Sequence, residues 1–316
     1  MKAIGINQYG DSKMLQELNT DIPQIATNEV LVKTEAFAIN PLDVAIREGQ
    51  FKNSVILLFP MILGTDAVGS IVKVGTNVNN FHVGDEIIAH AGYGTYAEYF
   101  RVSSDHIGLR PSQYSLHEAA GLPLSGITAY NVLIHSAQAR SGQKIAVFGA
   151  SGGVGSMVVQ MAKAYGLDVV AIDRQDTKAY VLSIGANEFI SIDEISSPKV
   201  MHPLTSQMDI VIDASNFGKG AVTGVNLVHD GGTFVTLTHV PTLTKIPKNI
   251  ILKEYVPEKK YYDSDAFAAI TLMIRNNQLH TRIDKTLDFT LENVRMGQDY
   301  VATGKHNGKV VVSLNS

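Results

Sequence analysis

Apolar positions in the first 120 or so residues come in short runs, at 30–33, 69–74, 86–89 and 96–102. Turn residues separate them at Asn40-Pro41, Gly75-Thr76-Asn77 and Gly92-Tyr93-Gly94. Short strands punctuated in this way predict an all-β, barrel-like unit, and the crossovers that parallel pairing requires are missing. From about Ser115 the spacing turns helical, through Leu116, Ala119, Ala120, Ile127, Ala129, Val132 and Leu133. Strands expected at 144–148, 168–172, 209–212 and 233–237 then alternate with helices expected at 152–165 and 177–184, the pattern of a doubly wound parallel sheet. The tail reads as helices over 265–275 and 291–303 and a strand over 309–314. It is expected to return to the first unit, giving domains of 1–122 completed by 265–316, with 123–264 inserted between them.

The densest chemical signal is Ile145-Ala146-Val147-Phe148-Gly149-Ala150-Ser151-Gly152-Gly153-Val154-Gly155, an apolar strand running into a glycine cluster that opens a helix. A glycine at Gly152 lets the backbone approach a pyrophosphate, and one at Gly155 lets the helix pack closely on the strand. The helix start offers free N–H groups and the positive end of its dipole. Against G-x-G-x-x-G, Ala150 stands at the first glycine. The context compensates: the helix carries Val154, Val158, Met161, Ala162 and Tyr165 on one stripe, and a second strand follows Gly166. Ser151, Gly152, Gly153, Val154 and Gly155 are therefore the candidate pyrophosphate residues. Asp173 ends the second strand near the spacing of the acid that binds an adenosine ribose 2′-hydroxyl, which favours NAD(H). Its neighbour Arg174 suits a 2′-phosphate, which favours NADP(H).

Composition narrows the remaining possibilities. At 316 residues the chain exceeds the usual single-domain length. With 26 Lys and Arg against 30 Asp and Glu, a net charge of −4 and no basic block, a nucleic-acid or membrane-surface partner is disfavoured. The absence of cysteine removes disulfides, zinc-thiolate sites and cysteine nucleophiles together. Met1 to Ile6 alternates and soon meets Gly10 and Asp11, without the apolar core of a signal peptide, so a cytoplasmic protein is expected. No apolar run approaches the ~20 residues that span a bilayer. The ten histidines include no helical pair at i, i+3 or i, i+4, and no P-loop lysine occurs.

Several stretches, taken in order, resemble the zinc-independent branch of the medium-chain dehydrogenase/reductase superfamily, and particularly its zeta-crystallin-like quinone oxidoreductases. They are Asn40-Pro41-Leu42-Asp43, Gly64-Thr65-Asp66-Ala67-Val68-Gly69, Val83-Gly84-Asp85, Gly94-Thr95-Tyr96-Ala97-Glu98-Tyr99, Leu122-Pro123-Leu124-Ser125-Gly126-Ile127-Thr128-Ala129-Tyr130, the glycine turn, and Asn307-Gly308-Lys309-Val310-Val311. The resemblance implies a GroES-like barrel built from both chain ends, a central Rossmann domain, a cleft for nicotinamide and substrate, and a homodimer joined by a strand like residues 249–255. It also implies that no zinc is bound, since Asn40 stands where the zinc branch has cysteine and Gly64-Thr65-Asp66 where it has Gly-His-Glu. Carried over by position, Asn40 and Asp43 face the substrate and Thr128 lies under the nicotinamide. Ser151 to Gly155 hold the pyrophosphate, and Asp173 and Arg174 meet the adenosine ribose. Ala214, Ser215 and Thr238 line the cofactor, with Lys309 near the nicotinamide. Two departures stand out: Ala45 replaces a frequent tyrosine, and Asp173 occupies a position where NADPH-preferring members carry small, polar or basic residues.

Hydride delivery from a nicotinamide needs alignment, exclusion of water and donors for the developing negative charge, which suits a quinone or a conjugated carbonyl. Asn40 is a candidate N–H donor to such a substrate, and Tyr93 or another tyrosine a candidate phenol. An Asx turn beside Pro41 is the structural alternative for Asn40 and Asp43. Two further functions stay open: an enoyl reductase, and a non-catalytic NADPH-binding redox sensor or RNA-binding moonlighter.

Overall fold

The structure is a computed structural model and describes residues 1–53, 58–215, 218, 220–238, 249–258 and 260–314. Its contacts gather into two units. One comprises Met1–Leu124, Tyr262–Thr271 and Thr281–Ser316, the other Ser125–Tyr261 and Leu272–His280.

The first unit opens with β1 (Lys2–Ile6), β2 (Leu15–Asn19), β3 (Glu29–Ile39), α1 (Pro41–Arg47), β4 (Met61–Ile62), β5 (Asp66–Val74), β6 (Glu86–His90), β7 (Tyr99–Ser103), β8 (Ile107–Leu109) and α2 (Leu116–Ala120). Asn40-Pro41 reads as a break between strands in the sequence, but it starts a helix. Proline is well tolerated at the first helical position because its missing N–H has no intrahelical partner there.

The central stretch carries α3 (Pro123–Tyr130), β9 (Lys144–Phe148), α4 (Gly153–Ala164), β10 (Asp168–Asp173), α5 (Lys178–Ser183), β11 (Glu188–Ser191), α6 (Pro198–Leu204), β12 (Met208–Asp213), α7 (Ala221–Val225), β13 (Val228–Thr236) and β14 (Ile251–Glu254). Its six-stranded sheet has the order β11-β10-β9-β12-β13-β14, with every pairing parallel. The expected doubly wound Rossmann sheet is present. Apolar residues fill one of its faces, with Ala146, Phe148, Val170, Ile172, Val211 and Phe234 in one buried cluster.

The tail supplies α8 (Asp263–Arg275), β15 (Ile283–Asp288), α9 (Leu291–Ala302) and β16 (Lys309–Ser313). β16 pairs antiparallel with β3, setting Val310 opposite Ile39 and Val312 opposite Phe37. Both chain ends therefore share the seven-stranded sheet β15-β16-β3-β5-β6-β8, with β7 also on β3. Its pairings are antiparallel except β15 with β16, which α9 connects as a crossover. The core here includes Ile4, Val32, Phe37, Leu63, Tyr96, Phe100 and Val312, with Phe37 and Tyr96 stacked at 4.4 Å between ring centroids. Burial of each such side chain contributes about 1.5–3 kcal/mol.

Candidate functional site

In the central unit, strand register brings the predicted cofactor residues to one edge of the sheet. Phe148 pairs with Ile172 and with Asp213, and Asp213 with Thr236, so the segments after β9, β10, β12 and β13 leave the sheet together. Those segments carry the glycine turn, Arg174, Ala214 with Ser215, and Thr238. Gly149 sits at φ +69°, a left-handed conformation that favours glycine, so the glycine the turn needs stands one place before Ala150, which is fully buried. A Cβ on Gly149 would lie 2.8 Å from the Ala214 carbonyl oxygen, which places Ala214 and Ser215 against the turn. The N–H of Ser215 donates to Asp213 Oδ1 at 3.0 Å, and that of Thr238 to Thr236 Oγ1 at 3.2 Å.

Gly152 is the N-cap of α4, and among the described residues no side chain caps the helix. Its first-turn N–H groups and the positive end of its dipole are thereby left to whatever occupies the turn. A Cβ on Gly155 would meet the Gly149 carbonyl oxygen at 2.0 Å, so that glycine is required by helix-on-strand packing. Among the described residues, a Cβ on Gly152 meets only that oxygen, at 3.3 Å. The turn therefore fits a dinucleotide diphosphate, with backbone exposed where an anion would approach.

Asp173 is buried, and both of its oxygens accept backbone N–H groups: Oδ2 from Ser151 at 2.6 Å and Oδ1 from Arg174 at 2.7 Å. It ties the end of β10 to the glycine turn. Arg174 is partly exposed, its Nε 3.2 Å from Asp176 Oδ1. Thr128 is buried on α3.

In the first unit, α1, β5, β6 and β16 carry a buried polar network. Asp43 reaches back to cap its own helix, its Oδ2 accepting from the Asn40 N–H at 2.8 Å and from the Tyr96 hydroxyl at 2.9 Å. Its Oδ1 is buried without a partner. Burial pushes the Asp43 carboxyl up to about 6, against the lowering effect of those two donors. Burial likewise holds the Tyr96 phenol well above its ordinary value.

The Asn40 side chain leaves the local backbone. Its Nδ2 donates to Thr65 Oγ1 at 3.0 Å and to Asp66 Oδ2 at 2.9 Å, while its Oδ1 accepts from the Lys309 ammonium. Asp66 also accepts the Leu124 N–H on both oxygens and lies 3.1 Å from His90 Nδ1. Burial alone would lower the His90 pKa, but its hydrogen bond to Asp66 and the charges of Asp66, Asp263 and Asp43 raise it. Burial lowers that of Lys309, with Asp66 and Asp43 opposing the shift.

Comparison with known proteins agrees with both units. Residues 26–112 match the family described as alcohol dehydrogenase GroES-like domain, and residues 153–256 the one described as zinc-binding dehydrogenase. The 2-methylene-furan-3-one reductase of Solanum lycopersicum is 32% identical, over 99% of this chain and 79% of that protein. The chain belongs to the quinone oxidoreductase branch of the medium-chain dehydrogenase/reductase superfamily. Two further relatives place it there as well. The chloroplastic NADPH-dependent alkenal/one oxidoreductase of Arabidopsis thaliana is also 32% identical, over 99% and 79% of the two chains. The solved structure of the quinone oxidoreductase from Coxiella burnetii superposes with a TM-score of 0.84 at 25% identity, over 100% and 99%. This chain is accordingly an oxidoreductase of that superfamily.

Membership in a family described as zinc-binding raises the question of a metal at the polar network, and its donor set does not fit one. Asn40 and Thr65 present an amide and a hydroxyl where two ligands would be needed, the Asp66 carboxylate is already held by Asn40, His90 and the Leu124 N–H, and an ammonium lies on Asn40 Oδ1. Zinc takes thiolate, imidazole or carboxylate ligands and is repelled by a neighbouring cation. Among the described residues, no cluster of three His, Asp or Glu is arranged to hold a metal ion.

The structure adds partners or surroundings at three positions that the sequence reading singled out in this oxidoreductase. Both N–H groups of Asn40 are committed to Thr65 and Asp66, so the expected donation to a substrate oxygen meets an occupied amide. Lys309, expected beside the cofactor, donates to Asn40. Tyr93 is exposed and lines a cleft of about 650 Å³ in the first unit with Ile22, Leu58, Pro60 and His106, whereas the phenol on Asp43 is that of Tyr96. Tyr96 lies in the quoted Gly94–Tyr99 stretch, but nothing local to it in sequence points to Asp43, 53 residues away.

Proposed function

We propose that this oxidoreductase is an NADPH-dependent reductase acting on quinones or α,β-unsaturated carbonyl compounds. The observation that carries the reading is the start of α4: a left-handed Gly149, an unshielded Gly152 and a first turn that no side chain caps. The cofactor's diphosphate would lie against residues Ser151 to Gly155, with Thr128, Ala214, Ser215 and Thr238 along its nicotinamide half. Because Asp173 is buried with its oxygens turned to the Ser151 and Arg174 N–H groups, Arg174 is the more exposed charged side chain at the end of β10, and a guanidinium pairs well with a 2′-phosphate. The Arabidopsis relative, named as NADPH-dependent, supports the same cofactor.

The bound cofactor supplies the hydride. The chain's own task is to orient the acceptor, exclude water and stabilise the oxygen on which negative charge gathers. Conjugated carbonyls and quinones suit that division, and two relatives are named for substrates of this kind. In this reading Tyr93 touches substrate, while Asn40 and Asp43 organise the polar network of the first unit. β14 is an edge strand with Ile251 exposed, which supports a homodimer formed edge to edge.

NADPH oxidation followed at steady state with a quinone, an enone and a simple ketone tests the proposal. Turnover is expected with the first two. Tight NADPH binding without turnover on any of them would instead mark a non-catalytic cofactor sensor, and NADH bound at least about tenfold more tightly, ~1.4 kcal/mol, would replace NADPH as the working cofactor.

A further inference from the structure

A lysine ammonium buried as completely as that of Lys309 costs several kcal/mol of lost hydration unless it is paired and hydrogen-bonded. One acceptor of that ammonium is the neutral amide of Asn40, whose other end donates to the Asp66 carboxylate. The Asn40 amide has two possible orientations, and its surroundings permit one. Reversed, the NH₂ would face the Lys309 ammonium and the carbonyl would face the Asp66 carboxylate, so two attractive contacts would become repulsive. The ammonium and the Asp66 carboxylate therefore act together on which way Asn40 faces, the cation holding the carbonyl end and the anion the NH₂ end. The ionisable groups around it are Asp43 on α1, Asp66 on β5, His90 at the end of β6 and Tyr96 before β7, with Asp263 acting on His90.

We propose that Lys309 is the resident cation of this site, a positioning residue that holds the Asn40 amide in one orientation and balances Asp43 and Asp66, in place of a metal ion. A covalently tethered cation closes the site to divalent metals. The proposal rests on the reading above only in treating the network as part of the substrate-handling unit.

The test compares Lys309→Met and Lys309→Arg by carbon NMR of the aspartate carboxyls and nitrogen NMR of the asparagine amides, alongside kcat/KM. Removing the cation takes away an attraction to the Asp43 carboxylate, so Lys309→Met should raise the titration of Asp43 by about one pH unit and move the Asn40 amide signal. Lys309→Arg should leave the titration within about 0.3 unit, since the charge is kept. A loss of kcat/KM of about tenfold or more in the methionine variant alone, with NADPH affinity unchanged, is expected for a positioning role. A folded Lys309→Met protein with unaltered Asp43 and Asn40 signals overturns the proposal. Should that variant fail to fold, the ε-ammonium signal of the wild-type lysine decides: a neutral amine at pH 7, or displacement by stoichiometric zinc, refutes the assignment. The NMR readouts hold whether or not quinones or enones turn over, so failure of the functional reading is seen separately.

Discussion

Alanine at Gly152 and alanine at Gly155 separate packing from ligand binding within one turn. At Gly155 the new Cβ would stand 2.0 Å from the Gly149 carbonyl oxygen, 2.8 Å from its carbon and 3.0 Å from Ala150 Cα. All three are backbone atoms of the strand-to-turn junction, so α4 must move off β9. Overpacking of this kind costs about 1–3 kcal/mol, and the better helix propensity of alanine returns about 0.5–1 kcal/mol. A net loss of about 1 kcal/mol would lower Tm by roughly 2–4 °C for a domain of this size.

At Gly152 the nearest atom is 3.3 Å away and φ is an ordinary −69°, so alanine costs the folded chain little beyond a poorer N-cap, about 0.5 kcal/mol and ~2 °C. Its methyl group instead occupies the surface a diphosphate would touch, and affinity for NADPH should fall about tenfold or more, equivalent to ~1.4 kcal/mol. Differential scanning calorimetry and titration calorimetry of the two variants measure both quantities. Unchanged NADPH affinity in Gly152→Ala would refute the placement of the diphosphate, and an unchanged Tm in Gly155→Ala would refute the packing argument.

Other expectations follow from the same geometry. Arg174→Ala should weaken NADPH by about tenfold and leave NADH within about twofold, read as dissociation constants; equal losses would show that Arg174 does not meet a 2′-phosphate. Asp173→Ser removes the acceptor of the Ser151 N–H, so both cofactors should weaken together rather than exchange preference. The folded-state pKa of Asp43 lies above its unfolded value of 3.8, at about 6, so the native state holds the extra proton between those values. Its contribution to stability is present below that window, declines as pH rises through it, and is lost above, by ~2–3 kcal/mol in all. Asp43→Asn should flatten that part of the pH–stability curve in denaturant titrations. Ile251→Lys places a charge on the β14 edge and should convert a dimer to a monomer in light scattering.

Local pattern alone carried the fold class, because alternating strand and helix periods and short punctuated strands leave few layer arrangements open. It also singled out the glycine turn, since what a diphosphate would require at a helix start is met by neighbours in sequence, Gly149 to Gly155. Its detail needed coordinates: Ala150 breaks the pattern because the left-handed glycine stands one residue earlier. The polar network was legible only in parts. Asn40 and Asp43 could be singled out by their spacing, but their partners come from β5, β6, the loop before β7 and β16. Asn40 and Lys309 meet across 269 residues of chain. Hydrogen-bond direction and desolvation depend on which groups the fold buries together, and those decided that the Asn40 amide is occupied, that Asp173 turns inward and that the Lys309 ammonium meets Asn40.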